Sequence, residues 1–155
     1  MAISFHTDQT LYVLQKKRLI KSCIQASVHA EGYECGDISI VLCSDERLLE
    51  MNNQFLQHDY YTDIITFDYS VGKKLNGDLF ISIDRVKDNA LKNQVSTKNE
   101  LYRVIIHGIM HLAGYKDKKK NEVLEMRKAE DRHLNKWQKS IDHGVSRETK
   151  NLSKK

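Results

Sequence analysis

Leu101-Tyr102-Arg103-Val104-Ile105-Ile106-His107-Gly108-Ile109-Met110-His111-Leu112 is apolar on nearly every side when wound as a helix. A helix of that kind belongs at the centre of a fold rather than on its surface. Ser96 or Thr97 can cap its start, and Thr97 with Glu100 fits a capping box. Two histidines stand inside this run, four residues apart. That spacing stacks both imidazoles on one face, about one turn apart. Each ring is polar and must find a partner in an apolar setting.

Working outward from this helix, the chain alternates strands and helices. Ile64 to Tyr69 and Leu79 to Ile83 read as strands. The connection Val71 to Gly77 has a glycine near each end and can fold them into an antiparallel pair. Asp84 to Asn93 reads as a helix with Val86, Ala90 and Leu91 inward. Asp37 to Cys43 carries β-branched residues on both faces, the pattern of a strand inside a sheet. Ser44 then serves as the N-cap of a helix carrying Leu48, Leu49, Met51 and Phe55. Leu11 to Ala30 reads as an amphipathic helix with Leu11, Leu14, Leu19, Cys23, Ala26 and Ala30 near one side, ended by Glu31-Gly32. A last helix spans about Asn121 to Ser140, with Met126, Ala129, His133 and Trp137 as its stripe. Residues 1–140 are expected to form a single domain, and 141–155 a polar, frayed tail.

The chain has 155 residues, a length for one domain. With 40% hydrophobic and 30% charged residues it has a globular composition. No stretch approaches the roughly 20 apolar residues of a membrane span, and the first residues lack the pattern of a signal peptide. Three cysteines with no C-x-x-C pair argue against a disulfide framework. A cytoplasmic location with no membrane partner is the expectation. Net charge is +4 and unevenly placed: residues 116–155 hold 13 Lys+Arg against 7 Asp+Glu. A basic end of this kind can meet nucleic acid or another polyanion, or be a solvated face.

The histidine pair can hold a metal, zinc or another divalent ion, or each ring can simply hydrogen-bond to a carbonyl. Gly114 permits a turn that can bring Asp117 round as a third ligand beside His107 and His111. Two imidazoles, one carboxylate and an open fourth position make the donor set of a catalytic zinc site, one Zn²⁺ per chain. A zinc-protease signature would need Glu directly after the first histidine, and that position is Gly108.

His107-Gly108-Ile109-Met110-His111-Leu112-Ala113-Gly114-Tyr115-Lys116-Asp117 resembles the signature of the YbeY family of rRNA-maturation endoribonucleases, H-G-x-L-H-L-x-G-Y-D-H. Thr62-Asp63-Ile64-Ile65-Thr66-Phe67 is similar to that family's T-D-V-L-S-F block, and Gly77-Asp78-Leu79-Phe80-Ile81 to its G-D-I-x-I block. Asn52 and Phe55 fall at the family's spacing. Three positions depart from the pattern: Asp117 replaces a histidine ligand, Leu56 an arginine, and Tyr61 a proline. The resemblance implies an α+β fold with a mixed sheet of about four strands around the histidine-bearing helix, Ile3-Ser4-Phe5 supplying the first strand. It implies metal-dependent cleavage of single-stranded RNA in ribosomal RNA precursors of the small subunit, by a chain expected to be monomeric.

Other residues are weighed on their chemistry. Asp63 or Asp78 can orient a ligand histidine or help activate water, or can simply cap a turn. Arg103, Lys116, Lys118, Lys119 and Lys120 are candidates to hold the RNA backbone. His58 fits a solvated loop, Tyr60 and Tyr61 can stack on bases or cover a core, and His133 fits a packing or surface role. Two rivals stay open: an RNA-binding assembly factor with a structural metal, and a metal hydrolase of small substrates.

Overall fold

The computed structural model describes the backbone of residues 2–56 and 62–153, and the side chains of 2–56 and 62–143. Four strands and five helices follow in the order β1 (Ala2–Asp8), α1 (Lys17–Ala30), β2 (Glu34–Cys43), α2 (Asp45–Leu56), β3 (Ile64–Asp68), β4 (Lys74–Ser82), α3 (Ile83–Lys92), α4 (Thr97–Leu112) and α5 (Lys120–Ser153). The sheet order is β1-β2-β4-β3. β1, β2 and β4 run parallel, and β3 closes one edge antiparallel to β4. This is the mixed four-stranded α+β fold that the resemblance implied, with the histidine helix central.

Residues alternate between the two faces of a strand. Ile38, Ile40 and Leu42 of β2 and Leu75, Leu79 and Ile81 of β4 are each 1% exposed or less, and they join α1, α3, α4 and α5 in the main core. On the other face α2 covers a smaller cluster of Cys43, Leu48, Met51 and Ile65, flanked by Phe67 and Phe80. The main core is thus three-layered in outline, with the sheet between α2 and the other helices.

Several local expectations are corrected. α1 starts at Lys17, six residues later than its pattern suggested, after Lys16 in a left-handed conformation with φ 58°. Its buried face is Ile20, Cys23, Ile24, Ser27 and Val28. That set follows i, i+3, i+4, i+7, i+8, the true helical stripe; Leu11 is exposed and Ala26 and Ala30 face water. α4 is capped by Ser96, whose hydroxyl accepts from the Asn99 amide, so the Thr97–Glu100 box is not used. α5 passes the boundary expected at residue 140 and runs to Ser153. Ile141, four residues after Trp137, continues the stripe into the core. β4 begins at Lys74, inside the stretch read as a connection, because Lys74 and Leu75 pair with Glu34 and Cys35.

Candidate metal centre

α4 lies against β3 and β4 through Gly108. A Cβ there would stand 2.5 Å from Leu79 Cδ2 and 2.8 Å from Ile64 Cδ1. The residue after His107 therefore faces the sheet, and a protease-type glutamate could not be accommodated at that point. With Gly108 against the sheet, His107 and His111 fall on the flank of the helix, roughly 60–100° round from it, where both are partly exposed. After α4 the chain reverses at Gly114, with φ 99°, a conformation that disfavours residues with a Cβ. The Tyr115 amide returns to the Met110 carbonyl, and Asp117 swings back over the helix end.

The three predicted ligands meet. His107 Nε2 and His111 Nε2 are 3.0 Å apart. Asp117 Oδ2 is 3.2 Å from each of them. His107 Nδ1 donates to Glu130 Oε2 at 2.7 Å, and His111 Nδ1 donates to the Tyr115 carbonyl at 3.0 Å. Both partners only accept, so both Nδ1 atoms carry the proton, and a neutral ring then has a bare lone pair on Nε2. Two imidazole lone pairs and a carboxylate oxygen converge within about one bond length of a common centre. They repel unless a cation or an extra proton lies among them. Tetrahedral zinc holds N and O ligands at about 2.0–2.2 Å, which spaces them roughly 3.3–3.6 Å apart. The observed triangle is close to that, and the donor set fits a metal. Burial alone would lower the pKa of His107, but the Glu130 bond and the charges of Glu130, Asp117 and Asp63 raise it.

The remaining expected residues divide. Asp63, at the head of β3, lies by the site, its charge coupled to His107; burial pushes its carboxyl upward against the pull of that histidine. Asp78 does not come near. It alternates with Gly77 and Leu79, which face α4, and so stands on the α2 face of the sheet. Arg103 points at α5, with Nη1 3.0 Å from Glu130 Oε1 and Nη2 2.7 Å from Asp131 Oδ1. Lys116, Lys118, Lys119 and Lys120 are exposed beside the site. His133 is 1% exposed and bonds Glu31 at 2.8 Å, a packing role. His58, Tyr60 and Tyr61 lie outside the described residues. Glu130 was missed, because a glutamate in a charged helix carries no sequence mark. The available signal was its place beside Ala129 and His133 on the buried stripe, where a carboxylate requires partners.

The profile of the family described as Endoribonuclease YbeY matches residues 2–138. An Endoribonuclease YbeY of Parabacteroides distasonis is 48% identical over 134 residues, covering 86% of this chain and 94% of that protein. One of Cytophaga hutchinsonii is 49% identical over 133 residues, covering 85% and 93%. The solution structure of a Thermotoga maritima protein superposes with a TM-score of 0.59 at 25% identity, covering 89% and 93%.

Proposed function

This chain belongs to the YbeY endoribonuclease family, and from that premise we propose that it cuts single-stranded RNA in precursors of small-subunit ribosomal RNA, with one zinc ion held by His107, His111 and Asp117. The observation that carries the metal reading is the triangle of two bare imidazole nitrogens and a carboxylate oxygen, 3.0 to 3.2 Å on each side. Zinc held there would supply Lewis acidity toward a phosphoryl oxygen.

The chain's own residues supply the rest. Asp63 has a carboxyl raised by burial beside His107. That suits it to accept the proton of the attacking hydroxyl, since a base works best when its pKa approaches the working pH. The exposed Lys116, Lys118, Lys119 and Lys120 would track the RNA backbone on the open side of the site. Arg103, committed to α5, takes no part in that path. Leu56 ends α2 where the family pattern has arginine, so transition-state charge would rest more on the metal and the lysines. Among the described residues no helix is long and apolar enough to cross a membrane.

The test is cleavage of a labelled single-stranded RNA, with and without chelator, beside His111→Ala and a duplex of the same sequence. Cutting that needs metal, needs His111 and spares the duplex is expected. RNA bound but left intact by the metal-loaded protein would replace the nuclease with a binding factor.

A further inference from the structure

We propose that Glu130 is a positioning residue for the metal centre: it fixes His107 in the tautomer that turns Nε2 toward the metal, and Arg103 acts by holding Glu130 in place. The proposal rests on the reading that His107, His111 and Asp117 bind a metal.

The two histidines are held in different ways. His111 Nδ1 is bound by a backbone carbonyl, that of Tyr115 at 3.0 Å. No side-chain replacement at its partner can remove that acceptor. His107 Nδ1 is bound by a side chain, Glu130 Oε2 at 2.7 Å, delivered from α5 across 23 residues of sequence. The Nδ1 side of His107, opposite the nitrogen that faces Asp117 and His111, therefore depends on one replaceable residue.

Glu130 is itself built in. It is 6% exposed, and its two oxygens have separate tasks. Oε1 accepts from Arg103 Nη1 at 3.0 Å and from Arg127 Nη1 at 3.3 Å. Oε2 is left for His107. If Glu130 only joined α4 to α5, Arg103 would satisfy that need through Oε1, and nothing would direct the second oxygen to the ring. A carboxylate accepts and does not donate, so it selects the Nδ1–H form of a neutral imidazole. Outer partners of this kind orient metal-bound histidines, and losing one costs about 10–100-fold in metal affinity. Arg103 is then a counter-charge for a buried carboxylate rather than a contact for RNA. Its second arm, on Asp131, anchors it at the surface.

The experiment uses the full chain as wild type, Glu130→Gln, Glu130→Ala and, as control, Glu125→Gln. Ring-nitrogen NMR shifts of His107 are read in the metal-free protein at a pH where both rings are neutral. Zinc affinity is read by chelator competition, and folding by thermal melts. Wild type is expected to show the Nδ1–H form of His107. Glu130→Ala should mix the two tautomers and bind zinc about 10–100-fold more weakly. Glu130→Gln can still accept through its carbonyl and should lose less. Glu125→Gln, an exposed carboxylate of α5 paired with Lys128, should change neither reading. An Nε2–H ring in wild type, or wild-type zinc affinity in Glu130→Ala, overturns the positioning role. Should Glu130→Ala fail to fold, the wild-type tautomer and the Glu130→Gln affinity still decide: unaltered affinity and tautomer mixing in wild type count against it. Failure of wild type to bind zinc is a separate result and overturns the metal reading instead.

Discussion

Gly108 of α4 and Leu79 of β4 share a space that admits only one side chain. A Cβ on Gly108 would lie 2.5 Å from Leu79 Cδ2 and 2.9 Å from its Cγ. Leu79 is fully buried and has nowhere to retreat. This contact sets the height of α4 above the sheet, and with it the direction in which His107 and His111 face.

Gly108→Ala is accordingly expected to destabilise the protein. Alanine favours a helix over glycine by up to about 1 kcal/mol. Over-packing a tight core costs about 1–3 kcal/mol. The clash should win, for a net loss of up to about 2 kcal/mol in urea unfolding. A midpoint equal to or above that of wild type would mean that α4 can rise from the sheet freely.

Asp117 gives a graded test of the third ligand. Asp117→Ala should weaken zinc binding, Asp117→His should keep a three-ligand set, and Asp117→Asn should fall below wild type because it loses the charge. The alternative is a turn residue at the head of α5, where Asn would match Asp within a few tenths of a kcal/mol. Equal zinc affinity for wild type and Asp117→Asn, by chelator competition, removes Asp117 from the ligand set.

Salt dependence separates the basic residues. Each phosphate neutralised releases counterions, so RNA affinity should fall steeply with salt. Replacing Lys118, Lys119 and Lys120 with Ala should flatten the slope of a filter-binding titration by up to roughly 2 units. Arg103→Ala should leave that slope unchanged, because the guanidinium is already held by Glu130 and Asp131. A flattened slope in Arg103→Ala would return Arg103 to the RNA path.

Glu31 predicts an acid-sensitive joint. It ends α1 and binds His133, Arg132 and the Tyr115 hydroxyl at 2.8, 2.8 and 3.1 Å. Burial tends to raise its pKa, but the bonds to His133, Arg132 and Tyr115 outweigh that and lower it. A depressed carboxylate pKa contributes stability above its unfolded value, near about 4.3. That stability is lost as pH falls through the lower folded value. Glu31→Gln should cost about 1–3 kcal/mol near neutral pH and less in acid. Unfolding curves whose difference stays constant from neutral pH to acid would reject the linkage.

The three cysteines should be inert while the protein is folded. Cys23, Cys35 and Cys43 are all free and buried. Burial pushes the Cys23 thiol up to about 11 and the Cys43 thiol up to about 12. Only the thiolate reacts, so alkylation at mildly alkaline pH should require unfolding. Rapid labelling of native protein at a rate independent of denaturant would contradict this burial.

The parts legible in the sequence were those governed by local rules. Four-residue spacing placed His107 and His111 together, since helical geometry is the same in any fold. A glycine at 114 announced the turn that returns Asp117, because a positive φ is a property of the residue itself. Alternating and β-branched runs located β2, β3 and β4 for the same reason. Ser44 capped α2 as expected, with its hydroxyl accepting from the Arg47 amide at 3.1 Å. Leu11 misled because an apolar residue looks the same whether it extends a helix stripe or lies exposed on a strap; only docking on the sheet selected Ile20, Cys23, Ile24, Ser27 and Val28 as the inward face. Which carboxylate serves His107 was likewise a tertiary decision. Asp63 and Asp78 had the motif, yet β4 alternation sent Asp78 to the other face, and Glu130 arrived from a helix whose register against α4 no local rule specifies. Arg103 followed it, since a buried carboxylate draws the nearest cation whatever surface role the sequence suggests. Local geometry decides which groups can share a site; the packing of one element on another decides which of them do.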